Sequence, residues 1–297
     1  MRELPLVQLL DDGKRLHLRE GPIDLVIEAF GNPGQVRMAY QAAAKRFFTV
    51  LKELCDELPL LRAQIKLGSK RPNGTIARRM AQTVAPYAPE IFVTPMAAVA
   101  GSVAEEILAA MLDAADVSKA YVNDGGDIAL HLSYGEQFVV GMVERPEHLS
   151  LFGSVTLNSD QPVRGIATSG WRGRSFSLGI ADAVTVLADT ASAADAAATL
   201  IANAVDLPGH PAVERQRACD IAPDSDLGEH LVTRDVGTLS KREIDYALDA
   251  GEVFARYVLD RGLIHAAALR LQGETRIVES SRLAGLSSVM RESLAHA

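Results

Sequence analysis

The chain has 297 residues and a formal net charge of −8, with 48% apolar and 23% charged residues. That is the balance of an ordinary globular protein, long enough for one large domain or two modest ones. Its acidity makes it a poor partner for nucleic-acid phosphates or an anionic membrane surface, and both classes are set aside.

Residues 4–9 and 15–29 alternate or run apolar, punctuated by Asp12-Gly13 and Gly21-Pro22, and read as two or three strands of a meander. After the Asn32-Pro33-Gly34 break, apolar residues at three- and four-residue spacing (Tyr40, Ala44, Phe47, Phe48, Leu51, Leu54 and Leu58) predict an amphipathic helix over 36–61, ending at Leu58-Pro59. Residues 66–93 are loop-rich, with one short helix at 76–84. Thr94-Pro95 then opens a second helix, Thr94 as N-cap and Pro95 in the first helical position. Its Ala97, Ala98, Ala100, Gly101 and Ser102 let a backbone approach a sheet or ligand closely.

Strand patterns return at 120–143, 163–168 and 183–188. A mostly alanine helix follows at 192–204, and 208–226 reads as loop. A helix over 240–259 begins with a capping box from Ser240 to Glu243. Strands at 264–271 and 275–279 close a hairpin around Gln272-Gly273. Strands and helices fall in separate blocks, which predicts an α+β fold of mixed or antiparallel sheets packed with helices, not a doubly wound sheet. The expected organisation is a single domain over 1–297, with two lobes and a site between them, carried by about 94–200, as its elaborated form.

Cys55 and Cys219 lie far apart without metal-ligand spacing, which predicts reduced, partly buried thiols and a cytoplasmic protein. The first 15 residues lack the apolar core of a signal peptide. The longest apolar stretch, 96–112, is broken by Glu105 and Glu106 and reads as too short to span a bilayer.

Four segments could carry chemistry. Asn123-Asp124-Gly125-Gly126-Asp127 joins two apolar strands. It reads either as a plain β-turn or as a glycine platform whose bare N–H groups receive a phosphate or a ring. Thr168-Ser169-Gly170-Trp171-Arg172-Gly173-Arg174 follows a strand with hydroxyls, glycines and two arginines, as an anion site would, or is a polar surface loop. Asp195 and Thr199 share one helix face. Their oxygens suit Mg²⁺ or Ca²⁺, though a first-turn Asp is also favoured by the helix dipole. Thr94–Glu106 is a capped helix start that could face an anion, or a core helix. No HExxH, GxSxG, Walker A or GxGxxG motif is present.

These segments, in this order, resemble the ApbE family, the FAD:protein FMN transferases. NDGGDI resembles its N-x-GGD-I turn, ATSG at 167–170 its A-T-S-G loop, and ADAVTVLADTASAADAAAT its strand followed by a helix with A-D-x-x-x-T. LPLLR (58–62), IARRM (76–80), FVTPMAAVAG (92–101) and DSDLG…LVT (224–233) are similar to an uncharacterised ApbE-like family over nearly the whole chain.

The resemblance implies Mg²⁺ held by Asp195, Thr199 and the Val99 carbonyl. It implies a flavin nucleotide, FAD or FMN, or a similar phosphorylated small molecule, contacted by Thr94, Met96, Asn123, Gly125, Gly126, Asp127, Thr168, Ser169, Gly170 and Arg172. Asp127 and Asp182 become the candidates for orienting or proton transfer in a phosphoryl- or nucleotidyl-type transfer. Two features depart from the transferases: Ala100 stands where they carry the Lys of an A-K-G triplet, and 177–182 lacks their H-x-x-D-P-x-T-G. An enzyme for a non-flavin metabolite and a non-catalytic binding or assembly protein therefore stand as alternatives, and homo-oligomerisation is left open.

Overall fold

The computed structural model describes residues 5–145 and 148–280, with backbone alone over 142–145 and 148–153. The chain divides into two compact units. The first comprises Met1–Gln137, Asn158–Ala167 and Thr190–Asp195; the second comprises Phe138–Leu157, Thr168–Asp189 and Ala196–Ala297.

The first unit opens with the expected meander: β1 (Leu6–Leu9), β2 (Leu16–Glu20) and β3 (Ile23–Phe30). Every second residue of β3 is buried, so Ile23, Leu25, Ile27 and Ala29 face the core, as period-two alternation demands. Helix α1 (Pro33–Asp56) starts on Asn32, whose side chain accepts from the Gly34 N–H, and buries Ala39, Ala43, Phe47, Val50 and Leu54. The long helix expected over 36–61 is two helices, because Glu57 leaves helical geometry and α2 (Leu58–Leu61) restarts with Pro59 in its first turn. Glu57 then takes the Asn73 and Gly74 amides ahead of α3 (Thr75–Val84).

A 3₁₀ turn, Pro95–Ala98, leads into α4 (Val99–Ala114). Thr94 occupies the cap position, but its side chain makes no capping hydrogen bond, contrary to the expectation from Thr-Pro. The 20-residue run Pro95–Ala114 is long and apolar enough to cross a membrane by length and composition, longer than the sequence suggested. Here it is a core helix: Val103, Ala104, Ile107 and Met111 are fully buried, and Glu106 is paired with Arg46 and Arg79.

β4 (Lys119–Asp124) and β5 (Asp127–Leu132) complete the meander. Antiparallel registers run Leu25↔Asp124, Ile27↔Val122, Val122↔Ala129 and Asp124↔Asp127, so Asp124 and Asp127 share the core face. The chain continues through β6 (Gln137–Arg145) and β7 (His148–Asn158), which pair with each other. It then enters β8 (Gly165–Ser169), where Gly165 and Ile166 pair antiparallel with β5.

In the second unit β9 (Ala183–Ala188) is buried along its whole length and pairs antiparallel with β12 (Ala266–Leu271). β12 pairs in turn with β13 (Glu274–Glu279), around the expected hairpin turn. Helix α5 (Ala191–Ala204) carries the chain from the first unit into the second. β10 (Val213–Arg217) and α6 (Ala218–Ile221) occupy the stretch 208–226 expected to be loop, and β11 (Leu231–Val236) follows it. β10 reads VERQR, is half-exposed and pairs only with β11, so it carries no apolar signature. Helix α7 (Lys241–Asp260) shows the complete Ser240/Glu243 capping box and packs on β12 and β13.

Every strand pair with an assigned register is antiparallel, and seven α-helices occur among the described residues. The fold is α+β, as expected. Both cysteines are free, but Cys55 is exposed, not partly buried.

Candidate functional site

The NDGGD segment is a two-residue hairpin turn closed by the Asp124↔Asp127 pair. Gly125 has φ 66° and Gly126 φ 117°, values that side-chain-bearing residues rarely adopt, so the glycines are a backbone requirement. The Asn123 side-chain oxygen accepts the Gly126 N–H at 2.8 Å and tightens the turn. Asp124 is buried, and its Oδ1 receives the Asp24 N–H at 3.4 Å. Asp127 is half-buried.

At the start of α4 the cap position is Ala98, which offers no side-chain acceptor. Helix α5 supplies the missing one. Asp195 Oδ2 accepts the Gly101 N–H at 3.0 Å, and the Ala100 N–H also donates to this carboxylate. The favour is returned: Glu105 of α4 accepts the Ser192 N–H at the start of α5, at 2.7 Å. Each helix thus caps the other.

The exchange requires close approach. A methyl on Gly101 would sit 2.3 Å from the Ala191 carbonyl oxygen. Arg79 braces the junction, with Nε 3.1 Å from Glu105, Nη2 3.1 Å from Glu106, and Nη1 donating to the Ser102 carbonyl at 2.8 Å. Arg46 extends the chain of charges from Glu106 to Glu53.

Burial pushes the Asp195 carboxyl well above the usual carboxylate range. The negative charges of Asp124 and Glu105 act in the same direction, and the two amides oppose them. A carboxylate in that field would be relieved by a cation, and it retains acceptor capacity beyond two N–H bonds. Thr199 lies one turn further along α5, half-buried, and Val99 is the first residue of α4. Hard oxygen donors of this kind fit Mg²⁺. Among the described residues no trio of His, Cys, Asp or Glu side chains is placed to hold a metal. A cation here would rest on one carboxylate and neutral oxygens. Thr94, buried, precedes the 3₁₀ turn at the same helix start, and Met96, half-buried, lies within it.

The second unit builds the Thr168–Arg174 loop. Thr168 and Thr185 hydroxyls meet at 2.9 Å. Gly170 passes so close to the next segment that a methyl would lie 2.4 Å from the Asp182 carbonyl oxygen. Asp182, buried, accepts three donors: Trp171 Nε1 (3.2 Å) and Arg172 Nε (3.0 Å) on Oδ1, and the Gln272 N–H (2.6 Å) on Oδ2. The Arg172 guanidinium lies 4.2 Å from the centre of the Trp171 ring. Asp182 is therefore engaged in orienting this loop. Glu105 was not among the expected site residues, although a carboxylate inside an apolar helix is a signal, and neither were Arg79 and Gln272.

The carboxylate-capped helix start and the glycine hairpin belong to the first unit and the hydroxyl-glycine loop to the second, in a chain of α+β class. The family described as AbpE bacteria matches residues 7–277, and the chain belongs to it. A UPF0280 protein of Methanococcoides burtonii is 40% identical over 121 residues, covering 40% of this chain and 49% of that protein. A UPF0280 protein of Methanopyrus kandleri is 38% identical over 149 residues, covering 50% and 56%. The chain thus spans about half the length of the curated relatives it matches. Among solved structures, Flavin Transferase ApbE from Vibrio cholerae aligns over 93% of this chain and 98% of its own, with 13% identity and a TM-score of 0.37.

Proposed function

We propose that this protein binds a flavin nucleotide, or a similar phosphorylated small molecule, together with Mg²⁺. The observation that carries the reading is the buried Asp195 carboxylate held by the Gly101 and Ala100 amides under the charges of Asp124 and Glu105. Asp195, the Thr199 hydroxyl and the Val99 carbonyl would hold the cation. Arg172 and the Thr168-Ser169-Gly170 stretch would meet phosphate oxygens, and the bare amides of Gly125 and Gly126, with Asn123 and Asp127, a ring or hydroxyl edge. Thr94 and Met96 would line the helix start. When bound, Mg²⁺ neutralises charge on a phosphoryl oxygen. Asp127 is the candidate for orienting or proton transfer, and Asp182 acts by orienting Arg172. A cytoplasmic setting goes with this reading.

Calorimetric titration with FAD and FMN, with and without Mg²⁺, tests it. Micromolar binding that weakens at least tenfold without Mg²⁺ is expected; no heat with either flavin removes the flavin reading. Ala100 in the lysine position of the transferases favours a second reading, binding without flavin transfer to a protein. Incubation with FAD, Mg²⁺ and a transferase acceptor peptide should then yield no flavinylated product, and its appearance would decide for the transferase.

A further inference from the structure

Gln272 is the one residue other than glycine with a positive φ among the described residues, at 43°. It precedes Gly273 in the β12–β13 turn, where Asn, Asp or Gly would relieve the backbone. A residue held in a sparsely populated conformation is held there by its surroundings, and such positions gather near functional groups.

Three bonds hold this one. Its side-chain Nε2 donates to the Gly237 carbonyl at 2.7 Å, and its Oε1 accepts the Leu239 N–H at 3.1 Å. The backbone so fixed sends the Gln272 N–H into Asp182 Oδ2 at 2.6 Å. That bond fixes the carboxylate through Oδ2, and Oδ1 is the oxygen that takes both the Trp171 indole N–H and Arg172 Nε. Arg172 is consequently pinned at Nε and laid on the indole ring. Its Nη1 and Nη2 edge has no hydrogen-bond partner among the described residues, and its side chain is 31% exposed. A guanidinium held by its Nε and its face, with two N–H groups of its outer edge turned loose, is preorganised for a bidentate oxyanion.

We infer that Gln272 is the positioning residue of this clamp: acting through Asp182, it presets the Trp171–Arg172 stack for a phosphate or pyrophosphate group. The inference rests on the proposed nucleotide binding for its ligand, but the positioning itself does not.

Trp171 is the only tryptophan in the chain, so its emission reports the stack directly. Inorganic pyrophosphate absorbs no light in that range and serves as the probe. Emission spectra and pyrophosphate titrations are compared for the wild-type chain, Gln272→Gly and Gln272→Asn, with far-UV circular dichroism as the check on folding. Gln272→Gly keeps the N–H but releases both side-chain anchors. It should shift the Trp171 emission maximum and weaken pyrophosphate about tenfold. Gln272→Asn tolerates the left-handed backbone and keeps a shorter amide, so it should fall between the two; it also decides the question if the glycine variant fails to fold. Wild-type emission and wild-type affinity in the folded variants overturn the inference. If the variants move the emission while pyrophosphate at millimolar concentration leaves the wild-type spectrum unchanged, Gln272 stands as the positioning residue and the nucleotide reading falls.

Discussion

The Gly101 N–H and the Asp195 carboxylate meet at 3.0 Å across 94 positions of sequence. A helix that lacks its own cap borrows one from the helix beside it, and Glu105 repays the loan at Ser192. Asp195 is therefore both a structural group and the candidate cation ligand, and the two roles respond differently to substitution.

Gly101→Ala tests the close approach. Its methyl would meet backbone, the Ala191 carbonyl, at 2.3 Å, and a helix cannot yield there without moving its neighbour. Overpacking of this kind typically costs about 1–3 kcal/mol, and this contact belongs at the upper end. Urea denaturation should show a lower midpoint with an unchanged slope; a loss under about 0.5 kcal/mol would contradict the packing described.

Asp195→Asn keeps an acceptor for the two amides and removes the charge that burial disfavours. In the absence of metal, its thermal midpoint at pH 8 should equal or exceed that of the wild type. Addition of millimolar Mg²⁺ should raise the wild-type midpoint and leave the variant unmoved. An equal Mg²⁺ response in both proteins would place the cation elsewhere.

The hairpin turn separates its two glycines. Gly126, at φ 117°, has no comfortable substitute, so Gly126→Ala should cost about 1–3 kcal/mol. Gly125, at φ 66°, sits where asparagine is tolerated, and Gly125→Asn should cost less than half as much. Equal losses in denaturant melts would mean that the turn is not of the form found here.

Glu243 supplies the pH dependence. Its hydrogen bonds from Ser240, side chain and backbone, and from His210 hold its carboxyl down to about 2, against an ordinary value of 4.5. The folded form binds the proton less readily than the unfolded form. Its contribution is therefore present in full above the ordinary value and is lost as pH falls from there through about 2. Glu243→Gln should be less stable than the wild type at pH 7, and the gap in denaturation midpoints should close as pH is lowered toward 2. A gap that stays constant over that range would rule out the ionised capping box as its source.

Much of the fold is legible in the sequence, and for local reasons. The meander shows in the alternation of Ile23, Leu25 and Ile27, α1 in the spacing of Phe47 and Leu54, although Phe48, read with them, is exposed, and α7 in Ser240 and Glu243. β10 was not legible, because a strand of Val-Glu-Arg-Gln-Arg buries little and is stabilised by its partner β11. Helical spacing and family resemblance name the Asp195 and Thr199 pair, but the same spacing fits an acidic residue favoured by its own helix dipole.

The sequence by itself determined the α+β class, the glycine turn, the capping of α7 and membership of the ApbE-type family. All of these depend on residues within a few positions of one another or on ordered motifs. Only the tertiary structure decided that Asp195 serves the N-terminus of α4 and not that of its own helix, that Glu105 answers it, and that Gln272 reaches Asp182. Hydrogen bonds spanning 87 to 94 residues leave no periodicity in a sequence. They exist because burial strips water from a carboxylate and leaves it to find donors wherever packing has brought them.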